Sequence, residues 1–118
     1  MTDIAIGRSY ETKNYSTSTG TGALSLSISD IKALELEEVR IHVGVAPAAV
    51  ENLTITIDAL AGSAYDTLIK TIAMSGVTNY IWVPDKPCLC VPGDAIAIAW
   101  TNSDGRTWGL TYVYRRIN

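Results

Sequence analysis
His42 is the one histidine in a chain of 118 residues, and the one side chain whose ordinary pKa suits acid–base work near neutral pH. It sits in Val39-Arg40-Ile41-His42-Val43, where polar and apolar residues alternate. On a strand it shares a face with Arg40, which makes it a solvent-facing residue rather than a general base. Cys88 and Cys90 are the other obvious candidates for chemistry. On a strand their side chains point the same way, roughly 6.6–6.8 Å apart along the chain. A disulfide brings Cβ atoms to roughly 3.5–4.5 Å, so the two do not suit an intrachain bond. A zinc site would want further Cys or His ligands, so the pair reads as two small buried hydrophobes. Asn102-Ser103-Asp104-Gly105 has the look of the middle of a calcium loop. An EF-hand would place an acid where Trp100 stands and a glutamate where Thr111 stands, and a hairpin turn fits these residues better. Asp58, Asp66, Asp85, Asp94 and Asp104 all border expected turns, where aspartate caps backbone N–H groups. The chain has no G-x-S-x-G or H-E-x-x-H motif, and Gly20-Thr21-Gly22 lacks the lysine and the helix of a phosphate-binding loop. No catalytic residue, metal ligand or cofactor is expected.

Aromatic residues offer one further chemistry. Trp82, Trp100, Trp108, Tyr65, Tyr80, Tyr112 and Tyr114 could line a platform for sugar rings. The chain contains no phenylalanine, so tryptophan and tyrosine must also fill its interior, and an aromatic on a sandwich strand is more often core. Packing is the preferred reading, and a carbohydrate-binding β-sandwich module is the alternative.

The elements that carry these residues are strands. Leu24-Ser25-Leu26-Ser27-Ile28, Val39 to Val43 and Leu53-Thr54-Ile55-Thr56-Ile57-Asp58 alternate with a period of two. Tyr80-Ile81-Trp82-Val83 is aromatic and β-branched and stops at Pro84. From Thr107 to Ile117, Trp108, Leu110, Tyr112 and Tyr114 share one face, and Thr111, Val113 and Arg115 the other. Breaks fall at 47–52, 61–63, 75–76, 92–94 and 102–105, a spacing typical of a β-sandwich or barrel. The expected fold is all-β, a single antiparallel β-sandwich with less than about a tenth helix. The segment from Asp30 to Glu38 could hold one helical turn. Ile41, Val43, Ile55, Ile57, Trp82, Ile96, Ile98 and Leu110 are the expected core.

Asp94-Ala95-Ile96-Ala97-Ile98-Ala99-Trp100 has no polar residue on either face after Asp94. A strand apolar on both faces is usually covered on both. Either another subunit covers Ala95, Ala97 and Ala99, or these small residues simply face water. Lys13 to Gly22 is polar and holds one aromatic, Tyr15, so it cannot repay its ordering entropy by its own packing. It follows Ile4, Ala5 and Ile6, an apolar patch that wants a partner. Residues 1–22 are therefore read as an N-terminal strand and polar arm, and 23–118 as the sandwich. The arm attaches to a neighbour by strand addition, or Ile4 to Tyr10 is the first strand of the same sandwich. The interface candidates are Ile4, Ile6, Ala95, Ala97 and Ala99.

Charged residues make up 18% of the chain and the net charge is −3, against roughly 25% charged in typical domains. That balance argues against a nucleic-acid partner. The start of the chain lacks a basic region followed by a long apolar run, and no stretch approaches roughly 18 uninterrupted apolar residues. Neither a secretory signal nor a membrane partner is expected, and the chain is expected to be made and kept in a cytoplasm unless an assembly carries it out.

Taken together, Val39 to Val43, Asn52 to Asp58, Ala64-Tyr65-Asp66-Thr67-Leu68, Trp82-Val83-Pro84-Asp85-Lys86-Pro87, Pro92-Gly93-Asp94-Ala95-Ile96 and Thr107-Trp108-Gly109-Leu110 resemble small proteins encoded among the structural genes of tailed phages and prophages. The resemblance spans Glu37 to Arg116, and the first 36 residues have no match in it. It implies a jelly-roll protein of the virion, made in the host cytoplasm, that decorates or cements the capsid. The implied partners are the major capsid protein and further copies of the chain, as a dimer or trimer. The Gly93-Asp94 turn into an apolar strand is also similar to the trimeric jelly rolls of tumour-necrosis-factor-like and complement-C1q-like proteins, which supports the architecture.

Overall fold
The computed structural model describes residues 13–30 and 32–117. Nine strands follow in order: β1 (Lys13–Gly20), β2 (Leu24–Ser29), β3 (Ala33–Val43), β4 (Asn52–Asp58), β5 (Thr67–Ala73), β6 (Asn79–Trp82), β7 (Cys88–Cys90), β8 (Ala95–Trp100) and β9 (Trp108–Ile117). Among the described residues the one helical element is a single 3₁₀ turn, Ser63–Tyr65. One sheet has the order β1-β9-β3-β6, with β7 also on β3, and the other has the order β2-β8-β4-β5. All pairings are antiparallel.

The pairing pattern is that of a jelly roll. Strand β1 pairs with β9, β2 with β8, β3 with β6 and β7, and β4 with β5. The chain is thus one long hairpin with its tip between β4 and β5, wound so that successive pairs alternate between the sheets. Such a fold buries one face of each sheet and leaves the other to solvent or a partner.

Alternation decides which face is buried. Leu53 and Ile55 of β4, Ile96, Ile98 and Trp100 of β8, and Trp108 and Leu110 of β9 point inward and are buried. From the expected core, Ile41, Val43, Ile55, Ile96, Ile98 and Leu110 are buried, whereas Ile57 and Trp82 are half-buried against it. On β3, Leu34 and Leu36 face the core, and so do Val39, Ile41 and Val43. The change of parity between the two groups is a β-bulge at Leu36/Glu38, where an extra residue shifts the alternation by one. No helical turn forms there: Ala33 already begins β3.

The sandwich also begins earlier than the sequence pattern suggests. Lys13–Gly20, expected to lie in the arm, is β1, and it pairs residue for residue with β9 from Lys13↔Arg115 to Gly20↔Trp108. An edge strand can be held by its ladder of backbone hydrogen bonds with little apolar content of its own, and threonine suits a pleated surface. Gly20 lets an indole pass closely: a Cβ there would lie 3.1 Å from the Trp108 ring. Met1 to Thr12, which include Ile4, Ile6 and the expected strand Ile4 to Tyr10, fall outside the described residues.

The turn Asn102-Ser103-Asp104-Gly105 does not close the hairpin that its residues suggest. It joins β8 in one sheet to β9 in the other, so it is an arch across the sandwich. Asn102 and Gly105 do take positive φ, 50° and 68°. Asn102 is buried, and its Nδ2 donates to the carbonyls of Gly22 at 2.9 Å and Arg106 at 2.9 Å, while its Oδ1 accepts from Arg106 N–H. One side chain therefore ties the β1–β2 connection to the β8–β9 arch.

Candidate interaction surfaces
The residues singled out for chemistry are spread across the fold. His42 is exposed on the outer face of β3, and its Nδ1 donates to Asn79 Oδ1 at 2.8 Å. Cys88 and Cys90 are free thiols on the core side of β7, opposite Leu36 and Leu34. Burial, helped by the charge of Asp94 and by Cys88, pushes the Cys90 thiol up to about 11. A raised thiol pKa favours the folded state below the ordinary value of 9.0 and withdraws that support as the pH climbs to about 11. Native protein at pH 8 should therefore leave Cys90 unlabelled by a thiol reagent until it unfolds. Alkaline destabilisation between pH 9 and about 11 should be smaller in Cys90→Ala, measured by denaturant titration at each pH.

Three of the aspartates, Asp66, Asp94 and Asp104, cap backbone N–H groups. The Asp104 carboxylate accepts from the N–H groups of Ala48 at 2.7 Å and Ala49 at 2.9 Å, and these bonds hold its pKa below the usual carboxylate range. Asp66 accepts from Ala59 N–H and Asp94 from Leu60 N–H. Among the described residues, no group of three or more His, Cys, Asp or Glu could hold a metal ion, and no helix is long and apolar enough to cross a membrane.

Trp100 and Trp108 are buried in the core, and Tyr112 and Tyr114 pack against it with their rings stacked at 6.0 Å. Trp82 differs. It is half-buried in a groove of about 430 Å³ between β5 and β6, with Lys70, Asp85 and Lys86 along the walls.

Two outer surfaces stand out. On the sheet with β8, each outward alanine is flanked by small side chains. Ala99 lies between Ser25 and Thr54, Ala97 between Ser27 and Thr56, and Ala95 between Ser29 and Asp58. Ala95 and Ala97 are half-buried by these neighbours within the one chain, and Ala99 is exposed. This face is smooth, and within these three rows it is uncharged until Asp58. The second surface is absent from the sequence expectations. Ile81, Val83, Leu89 and Val91 form a row on and beside β6 and β7, each 54–66% exposed. Its signal lies in Tyr80-Ile81-Trp82-Val83, which is apolar on both faces much as the alanine strand is.

No protein-family model matches the chain, and no curated protein matches it. Among solved structures, a chain in the structure of infectious bursal disease virus, Gx strain, is similar at 16% identity and a TM-score of 0.34. The match covers 89% of this chain and 30% of that one, so the present chain spans about a third of its length.

Proposed function
We propose that this chain is a non-enzymatic structural protein of a virus particle, and specifically a decoration or cement protein on the capsid of a tailed phage. The observation that carries this reading is the alanine face: a smooth, nearly uncharged sheet surface suits lying flat against another protein, while Asp66, Asp94 and Asp104 bind backbone N–H groups and Cys88 and Cys90 lie on the core side of β7. Jelly rolls of this kind serve in capsids and in lectins. The mechanism is mechanical. A protein that binds neighbouring capsid subunits only in the assembled shell stabilises that shell by mass action. The partners are the major capsid protein and further copies of the chain, and the virion is the place of action.

In this reading Ala95, Ala97 and Ala99 lie against a second copy. Stable interfaces usually bury more than about 1,000 Å², and a lysine at the centre of one is left buried without a counter-charge. Ala97→Lys should fold with an unchanged circular dichroism spectrum and lose self-association in light scattering. An unmodified protein that stays monomeric at high concentration would contradict the self-association.

A carbohydrate-binding module is the second reading, supported by Trp82 in its groove beside Lys70, Asp85 and Lys86. It expects glycan-array binding that Trp82→Ala abolishes.

A further inference from the structure
The aliphatic row lies on an edge strand, and that position says what could cover it. Among the described residues, β6 and β7 pair only with β3, so their outer edge is open. An open edge offers unsatisfied N–H and C=O groups to any extended segment. The edges differ in character. On the β1 and β2 edges the exposed side chains, among those described, are Thr17, Thr19, Ser25, Ser27 and Ser29, and on the β5 edge the one exposed large apolar side chain is Leu68. The β6–β7 edge carries Ile81, Val83, Leu89 and Val91 instead, with Pro84 and Pro87 between its halves. It is the edge best suited to an apolar strand, and the proline break limits what it accepts to a short one.

The chain holds a sequence suited to such a strand. Twelve residues precede β1, and Ile4-Ala5-Ile6-Gly7 places two isoleucines on one face of an extended segment. Its four residues equal the length of β6. Twelve extended residues reach at most about 40 Å, so the length suffices to leave one body and lie on another. The path to the edge of the same body is less favourable. Strand β1 is at the opposite margin of the sheet, three strand spacings or about 14 Å away. A direct crossing over the outer face would cover the Arg115–Glu35 and Arg40–Glu38 ion pairs, and desolvating such pairs opposes the contact.

Building on the reading of the N-terminus as a strand donor, we infer that Ile4–Gly7 of one copy adds to the β6 edge of a second copy. Ile4 and Ile6 then extend the row of Ile81 and Val83. Backbone hydrogen bonds supply affinity, and the aliphatic row sets the register. The exchange works beside the alanine face as a second contact of the same assembly.

The test uses three proteins: the full chain, a chain lacking residues 1–12, and the full-length double variant Ile81→Lys/Val83→Lys. Both substituted positions are exposed, so the variant should fold normally. Sedimentation equilibrium should show that each altered protein dissociates at a concentration at least tenfold higher than the full chain. An equimolar mixture should associate more tightly than either alone, because one protein retains the edge and the other the arm. A monomeric full chain, an edge variant that associates like the full chain, or a mixture no tighter than its components would overturn the exchange. Adding intact capsids separates this inference from the decoration reading. Loss of capsid binding on arm deletion, with self-association unchanged, directs the arm to the shell and overturns the exchange alone. Normal exchange with no binding to any shell overturns decoration alone.

Discussion
Truncating Ile55 to alanine is expected to lower the stability of the fold by about 2–5 kcal/mol, far more than a substitution at an exposed position would. Ile55 is fully buried and lies mid-sheet on β4, opposite Ile98 of β8 and Lys70 of β5. Its removal leaves a void that the β-ladders on both sides cannot close, because the backbone is pinned by hydrogen bonds to two neighbours. A domain of this size has a total stability of about 5–15 kcal/mol, so the loss should be plain as a lower denaturant midpoint at unchanged slope. Ile57→Ala is the internal control. Ile57 stands on the same face but is half-buried near the strand end, so its truncation should cost clearly less. Equal losses at both positions would mean that the strand is not seated as described.

The second large effect is expected at Asn102. Replacing it with alanine removes the donor that meets the carbonyls of Gly22 and Arg106 and the acceptor that meets Arg106 N–H. Buried polar groups left without a partner cost about 1–3 kcal/mol. The backbone adds to this, because at φ 50° an alanine meets a left-handed penalty of roughly 1–2 kcal/mol. Asn102→Gly separates the two contributions, since glycine loses the hydrogen bonds but not the conformation. The alanine variant should therefore be less stable than the glycine variant by about 1 kcal/mol, and both should be less stable than the parent in thermal and denaturant unfolding. A neutral outcome for Asn102→Gly would mean that the side chain does not bind the two connections together.

The parts of this fold that are legible in the sequence are those in which one strand face meets the core without interruption. Ile55 in β4, Ile96 and Ile98 in β8, and Leu110 in β9 follow a strict period of two, and their burial follows from it. Three things hide the rest. The bulge at Leu36/Glu38 shifts the pattern inside β3, so Ala33 to Glu38 looks unlike the strand it continues. Strand β1 is held by backbone pairing to β9, and side-chain hydrophobicity carries no record of that. The turn after Trp100 has the residues of a tight turn, and whether it closes a hairpin or crosses between sheets depends on where β9 finds its partners. For the candidate surfaces, the alanine face is readable because Asp94 to Trp100 lacks polar residues. The row of Ile81, Val83, Leu89 and Val91 is readable only in part: Tyr80 to Val83 is apolar on both faces, but an apolar strand residue looks the same whether it points inward or outward.

Co-sedimentation of the purified chain with intact tailed-phage capsids, and separately with the unassembled capsid protein, bears most directly on the decoration reading. Saturable binding to the assembled shell, weak or absent binding to the free subunit, and a higher melting temperature of the decorated shell are the expected results. Equal affinity for free and assembled subunits, or a shell whose stability does not change when the protein is bound, would contradict it.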